Sequence, residues 1–283
     1  MRLFLLSLLL GGLGLGAAIL AALAAFQRHL IYPGAFFSRP PGTEARLAPP
    51  GTTAIILTTP DGERLVGFWR PPAPGCGVVL SFHGNASAPE PPARRFTEGV
   101  WARAGWGVLA IAYRGYPGST GRPSEDGLVA DGLAAHAAVA ERAPGAPVLL
   151  HGHSLGAAVA VAVGARAPHL GLYLEAPFDS LHHLVGLRYP LVPRLLLRDT
   201  YRSDLRIAAT TGPVFVVHGL QDGVIPVRLA RRLATLAGPR GHLEALPGDH
   251  VSILGERDAA AQAVFRQALS RDACRPAVAV ATP

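Results

Sequence analysis

Lysine is absent from this sequence of 283 residues, so all 26 of its basic side chains are arginines. Charged residues make up only 16% of the chain and hydrophobic residues 49%, which excludes a highly charged disordered protein. Alanine, glycine and proline are abundant, a bias typical of a GC-rich bacterial genome. The formal net charge is +7, but the arginines are scattered and no aromatic and basic surface stands out, so we expect no nucleic-acid partner.

Cysteine is scarce, with one residue before a predicted strand (Cys76) and one near the C-terminus (Cys274). Neither has a second Cys or a His at metal-ligand spacing, so we predict no metal and no cofactor. We interpret the two thiols as bystanders. A disulfide would need their Cα atoms within about 7 Å, which the sequence does not establish, and the redox compartment stays open.

Residues 3–26 carry no charge and are built from apolar and small side chains, between Arg2 and Arg28. About 20 apolar residues are enough to cross a hydrocarbon core of about 30 Å as a helix. We therefore predict a membrane anchor within residues 1–28, with the membrane contacted through residues 3–26.

Two questions about this segment stay open. The sequence Ala22-Leu23-Ala24 also fits a small-x-small cleavage pattern, so the alternative is an exported protein whose signal peptide has been removed. The side on which the body lies is undetermined, because Arg2 competes with Arg28, Arg39 and Arg46 under the positive-inside rule.

Beyond a connector at residues 29–52, apolar runs alternate with helical patterns, which predicts an α/β fold with a mostly parallel sheet and helices on both faces. The turn Pro60-Asp61-Gly62 predicts an opening hairpin of two strands, and a single helix is predicted over residues 92–103. We assign residues 53–272 to one catalytic domain and residues 273–283 to a C-terminal tail. Residues 178–212 are longer than one crossover needs, so they form either a lid over the site or an extra helix on the body.

The sequence Gly152-His153-Ser154-Leu155-Gly156 follows an apolar run and opens an Ala/Val-rich helix. This strand-turn-helix setting is the one in which a G-x-S-x-G motif holds a nucleophilic serine on a sharp turn. Glycines are needed on both sides of Ser154 because side chains there would crowd the turn. We predict that Ser154 is a nucleophile.

A serine hydroxyl needs a base, and the base needs an acid, in the chain order serine, acid, histidine. Asp222 follows one predicted strand and His250 follows the last, so both belong to the sheet edge that holds Ser154. Glu175 is the alternative acid, and Asp249 is interpreted as a turn residue. The other histidines considered are expected to be structural or at the surface: His83, His151, His153, His182, His183, His218 and His242.

The oxyanion that develops during acyl transfer needs two preorganised N–H donors. The backbone of Leu155 supplies one by motif, and the loop after the third strand, His83-Gly84-Asn85-Ala86, should supply the other. Asn85 is the predicted second donor, with Ala86 next.

Taken together, these motifs resemble the membrane-anchored branch of the α/β-hydrolase superfamily, the serine aminopeptidase-like or α/β-hydrolase-domain proteins. The resemblance rests on Tyr32-Pro33-Gly34, His83-Gly84-Asn85, the glycine-rich run from Tyr113 to Gly121 with Pro123-Ser124-Glu125, Gly152 to Gly156, Glu175 to Ser180, His218-Gly219 with Asp222, and Gly248-Asp249-His250. It implies an α/β-hydrolase fold, a retained membrane helix and a triad of Ser154, Asp222 and His250.

The expected activity is hydrolysis of an ester or thioester, with a lipid-like acyl substrate suggested by the tether and by the apolar run Leu195-Leu196-Leu197. An acyltransferase with the same triad is an alternative, as is a narrow peptidase or amidase. A peptidase acting at N-termini would need an anionic subsite, for which Asp199 and Asp204 are the candidates. A non-catalytic membrane scaffold is the remaining alternative.

Overall fold

The structure is a computed structural model that describes residues 1–37, 44–269 and 274. The predicted connector at residues 29–52 therefore lies partly outside the described residues, as does Arg39. The predicted tail at residues 273–283 lies outside them except for Cys274.

Eight strands form one sheet in the order β1-β2-β4-β3-β5-β6-β7-β8. The first two strands are an antiparallel hairpin, β2 also pairs antiparallel with β4, and the remaining neighbours are parallel. The predicted α/β fold and its mostly parallel sheet are confirmed. The strands are β1 Thr53–Thr58, β2 Arg64–Arg70, β3 Val78–Phe82, β4 Gly107–Ile111, β5 Val148–His153, β6 Gly171–Glu175, β7 Val214–Gly219 and β8 Gly241–Leu246.

The sheet is accompanied by α-helices with the following bounds: α1 Arg2–Ile31, α2 Glu44–Leu47, α3 Glu90–Thr97, α4 Gly99–Arg103, α5 Glu125–Arg142, α6 Leu155–Gly164, α7 Leu181–Arg188, α8 Ser203–Arg206, α9 Val227–Leu236 and α10 Asp258–Ala268. The prediction of one helix over residues 92–103 was wrong. Glu98 is extended, and Gly99 has a φ of 64°, a left-handed conformation that favours glycine. The helical hydrogen-bond pattern therefore stops and restarts at this point.

The helix that follows Ser154, α6, is buried along its whole length. Its residues are almost all Ala, Val and Gly. Small side chains let a helix approach a sheet closely. The strands β3 and β5, which contact α6, are themselves buried. The start of this helix is therefore held firmly at the carboxyl edge of the central strands.

A disulfide joins Cys76, before β3, to Cys274. The interpretation of the two thiols as bystanders was wrong. Their Cα atoms lie 4.2 Å apart although 198 residues separate them in sequence. Only the folding of the chain brings them together, and the bond attaches residue 274 to the body.

Candidate active site

Ser154 stands between β5 and α6 with a φ of 54° and a ψ of −116°. A positive φ is unfavourable for a residue with a side chain, so the surrounding structure must hold it there. A Cβ on Gly152 would lie 2.2 Å from the carbonyl oxygen of Gly156, and a Cβ on Gly156 would lie 2.0 Å from that of Phe82. The two glycines of the motif are therefore required by close backbone contacts.

The imidazole of His250 is paired with a carboxylate. Its Nδ1 lies 2.7 Å from Oδ2 of Asp222, whose side chain is fully buried. The other carboxylate oxygen, Oδ1, accepts the backbone N–H groups of Val224 and Ile225 at 2.8 Å each. These contacts fix the carboxylate, so Nδ1 of His250 is the proton-bearing nitrogen and Nε2 is left for other partners.

A second histidine, His218, also approaches Asp222. Its Nε2 lies 3.2 Å from Oδ2 of Asp222 and 2.9 Å from the carbonyl of Ile225. Burial opposes the charged form of Asp222, yet hydrogen bonds from His218, His250 and Ile225 hold its pKa below the usual range. His218 was expected to be structural or at the surface, and its contact with Asp222 was not predicted. Its i, i+4 spacing from Asp222 at the end of β7 was the available signal.

Glu175, the alternative acid, has different partners. Its carboxylate binds Arg95 at 2.6 and 3.0 Å, His151 at 2.9 Å and the N–H of Gly255 at 3.0 Å. Burial opposes its charge, but Arg95 and His151 lower its pKa below the usual range. Glu175 therefore belongs to a buried charged network. The backbone of β6 does reach the site, because the carbonyl of Glu175 accepts the N–H of Ser154 at 2.9 Å.

Asp249 is the turn residue that its position predicted. Its Oδ1 accepts the N–H groups of Val251 and Ser252 at 2.9 and 2.8 Å, and its own N–H donates to the Ser252 hydroxyl. These bonds shape the loop that carries His250.

The remaining histidines lie in different surroundings. His153 is beside His250, with its Nε2 3.1 Å from the carbonyl of that residue, and burial lowers the pKa of His153 to about 4. It therefore adds no positive charge next to the imidazole of His250 near neutral pH. His83 is buried against Tyr113 and Tyr116, and burial lowers its pKa to about 4 as well. His242 is at the surface.

The loop that carries Asn85 is held by its carbonyl and its side chain. The carbonyl accepts the N–H of Gly34 at 3.1 Å and the hydroxyl of Tyr116 at 2.8 Å, while the side-chain amide donates to Ile31. A Cβ on Gly34 would lie 2.5 Å from this carbonyl, which explains the glycine after Tyr32-Pro33. Within residues 1–37, 44–269 and 274, no acceptor is bonded to the N–H of Asn85 or Leu155. Both residues line the same cavity as Ser154.

This cavity has a volume of about 900 Å³ and a mainly apolar wall. Ser154 and His250 lie in its surface, and residues from the segment 178–212 also line it. The guanidinium of Arg188 on α7 donates to the carbonyls of Gly223 and Val224. These bonds join the segment 178–212 to the loop that contains Asp222. The segment therefore borders the site, and its role as a lid stays a prediction.

The two candidates for an anionic subsite are already paired. Asp199 binds Arg28 at 2.9 Å, and Asp204 binds Arg202 at 2.8 Å. Among the residues described, no cluster of three or more His, Cys, Asp or Glu side chains is arranged to hold a metal ion.

The sequence matches a hydrolase family model, and solved hydrolase structures share the fold. Residues 74–203 match the family model described as serine aminopeptidase, S33. Protein Rv2307c of Mycobacterium tuberculosis is 37% identical over 227 residues, which cover 78% of this chain and 79% of that protein. The chain belongs to the α/β-hydrolase superfamily.

More distant α/β hydrolases share part of the sequence or the fold alone. Lysophosphatidylserine lipase ABHD12 of Danio rerio is 30% identical over 179 residues, which cover 56% of this chain and 47% of that protein. An α/β hydrolase from Vibrio vulnificus superposes with a TM-score of 0.66 at 18% identity, covering 84% of this chain and 92% of that one. Esterase Pf2001 from Pyrococcus furiosus superposes with a TM-score of 0.64 at 18% identity, covering 82% and 95%. These solved structures, at 18% identity, show that the fold is shared.

Proposed function

We propose that this protein is a membrane-anchored serine hydrolase that cleaves the ester or thioester bond of a lipid-like acyl substrate. The observation that carries the proposal is the 2.7 Å contact between Asp222 and His250, where His250 and Ser154 both line an apolar cavity. Acyl transfer to a serine hydroxyl requires three groups: a serine on a strained turn, a histidine of fixed tautomer and a buried carboxylate.

In the proposed reaction, the Ser154 hydroxyl oxygen attacks the acyl carbonyl carbon while Nε2 of His250 takes the hydroxyl proton. Asp222 stabilises the resulting imidazolium through Nδ1, and the N–H groups of Leu155 and Asn85 donate to the oxyanion. The C–O or C–S bond then breaks and His250 returns the proton to the leaving group. Water, deprotonated by His250, then attacks the acyl carbon. The bond between that carbon and the Ser154 oxygen breaks, and His250 returns the proton to this oxygen, which releases the acid and free Ser154.

The apolar cavity supports an aliphatic acyl group as substrate. Ligand sites of this kind bury apolar surface and use few polar groups to orient the ligand. The relative ABHD12 is named a lysophosphatidylserine lipase, which agrees with a lipid ester. A peptidase that acts at N-termini would need a free carboxylate to bind the amine of its substrate. Asp199 and Asp204 give no support to this activity, because each is already paired with an arginine.

A retained anchor is part of the proposal. Residues 4–31 form the described helix that is long and apolar enough to cross a membrane, a criterion that signal sequences also meet. The helix continues to Ile31, past the Ala22-Leu23-Ala24 pattern, and its last turns bind the body through Gln27 and Arg28. These contacts support retention.

The disulfide supports a location of the catalytic domain on the extracytoplasmic side. Disulfides persist in oxidising compartments and are rare in the cytosol. If this orientation is correct, protease added to intact spheroplasts will digest the body. Protection of the body until the membrane is lysed would place it in the cytoplasm.

The test of the activity uses the full chain in detergent with p-nitrophenyl esters of increasing acyl length. Ser154→Ala should lower turnover by about 10⁴-fold or more, because removal of a triad nucleophile leaves only binding and oxyanion stabilisation. Ser87→Ala is the matched control and should retain turnover. A fluorophosphonate probe should label the wild type and Ser87→Ala but not Ser154→Ala. Absence of both turnover and labelling in folded wild-type protein would refute the proposal, and ester formation with an added alcohol would indicate an acyltransferase.

A further inference from the structure

The last turns of the membrane helix form one wall of the cavity that contains Ser154. The residues of α1 in this wall are Leu23, Ala24, Gln27, Leu30 and Ile31. Their spacing of one, three or four residues places them along one face of a helix. The catalytic steps described above use none of them, so this face needs a separate explanation.

Polar contacts hold this part of α1 against the segment 178–212. The amide of Gln27 donates to the carbonyl of Leu196 at 2.9 Å and accepts the N–H of Arg198 at 2.7 Å. Arg28 forms two hydrogen bonds, of 2.9 and 3.1 Å, with the buried carboxylate of Asp199. A charged hydrogen bond to a buried carboxylate is among the stronger polar contacts in proteins. The helix face is therefore a fixed part of the cavity wall.

Asp199 connects the same contact to the body. It also accepts the hydroxyl of Tyr32 at 3.1 Å and the backbone N–H of Glu125 at 3.1 Å. The carboxylate of Glu125 in turn accepts the N–H groups of Thr200 and Tyr201. The membrane helix, the segment 178–212 and α5 thus meet at one buried polar cluster.

The remainder of α1 has the length of a bilayer core. Residues 4–22 are uncharged, mostly apolar and largely exposed, and at 1.5 Å per residue they extend about 28 Å, against about 30 Å for the hydrocarbon region. Residue 23, where α1 begins to line the cavity, then falls at the membrane surface. With the apolar residues placed across the bilayer in this way, the part of α1 that lines the cavity begins at the membrane surface.

We propose that residues 23–31 of α1 form the acyl-chain wall of the substrate site, so that a chain passes from the bilayer along this helix face toward Ser154. The inference rests on the proposed function and goes beyond it, because it makes the anchor a determinant of chain-length specificity. On this basis the enzyme acts on single-chain or protruding aliphatic esters embedded in a membrane.

Two neighbouring alanines provide the test. Ala24 lines the cavity, whereas Ala25 is exposed on another face of the helix. Full-length Ala24→Trp and Ala25→Trp are compared with the wild type in detergent, using p-nitrophenyl palmitate and p-nitrophenyl butyrate. The ratio of kcat/KM for palmitate to that for butyrate should fall at least tenfold in Ala24→Trp, because the indole occupies space that a long chain needs. The ratio should stay within about twofold in Ala25→Trp.

The outcomes separate the inference from the proposed function. A wild type that hydrolyses both esters, with an unchanged ratio in Ala24→Trp or equal falls in both variants, overturns the inference and leaves the hydrolase intact. A wild type that hydrolyses neither ester and is not labelled by fluorophosphonate refutes both.

A second measurement needs no variant. A hexadecyl fluorophosphonate with a diazirine near the chain end is attached to Ser154 in the wild type and then illuminated. Crosslinks to residues 23–31 support the inference, and crosslinks confined to the body overturn it.

Discussion

Replacement of Asp222 by Asn tests the proposed triad while changing very few atoms. The asparagine carbonyl oxygen can still accept the N–H groups of Val224 and Ile225, which now bind Oδ1 at 2.8 Å. The new NH₂ group would then face Nδ1 of His250, at the position of the oxygen that now lies 2.7 Å away. Because NH₂ is a donor only, Nδ1 must become the acceptor and the proton must move to Nε2. In that tautomer His250 has no lone pair for the Ser154 proton.

The expected loss in kcat for p-nitrophenyl butyrate is about 10⁴-fold, or roughly 5 kcal/mol in the activation barrier, with the fold retained. A thermal melt of the variant checks that folding is preserved. Asp249→Asn is the matched control, since Asp249 is next to His250 but bonds only within its own turn. It should retain activity to within about threefold. A loss below tenfold in folded Asp222→Asn would show that another group orients His250.

Three further predictions concern stability. Gly156→Ala should lower the free energy of unfolding by more than about 3 kcal/mol in urea, because the new Cβ would lie 2.0 Å from a backbone oxygen. The control Gly223→Ala should be near neutral, because its new Cβ meets nothing within 4 Å. Equal urea midpoints for the two variants would contradict the close contact at Gly156. Cys274→Ser should lower the free energy of unfolding by about 2–5 kcal/mol, and a reductant should have the same effect on the wild type. Labelling of unreduced wild-type protein by a maleimide would show that the disulfide is absent. Burial lowers the pKa of His83 from 6.5 to about 4, so between these two values the unfolded state binds more protons than the folded state. The free energy of unfolding should therefore fall by up to about 3 kcal/mol as the pH drops through this window. The fall should be smaller in His83→Phe, and an identical pH dependence in the two proteins would refute the assignment.

The positions of Ser154, Asp222 and His250 were accessible from sequence because each depends on a local pattern. A glycine-flanked serine between an apolar strand and a helix is readable within five residues, and the chain order then points to loops after later strands. The parallel sheet followed from the alternation of apolar runs and helices. Its opening hairpin followed from one turn.

The helix break at Gly99 was not predicted. The pattern of side chains stays helical across this position, and only the backbone conformation of Gly99 departs from a helix. The i, i+4 spacing of His218 and Asp222 allowed their contact, but Asp222 lies beyond the end of β7, where strand geometry no longer fixes the direction of a side chain. The choice between Asp222 and Glu175 was left open in the sequence because both follow strands at the same edge. The structure separates them through Arg95, which lies 80 residues from Glu175 and binds its carboxylate.

Local sequence patterns specify the elements that have local causes: an apolar helix of membrane length, alternating strands and helices, and a serine on a glycine-lined turn. The packing of the whole chain sets which distant groups meet. It joined Cys76 to Cys274, paired Arg28 with Asp199, and placed the last turns of α1 in the wall of the cavity. Local patterns arise from backbone geometry within a few residues, whereas these contacts depend on how the whole chain packs, and no spacing along the sequence encodes them.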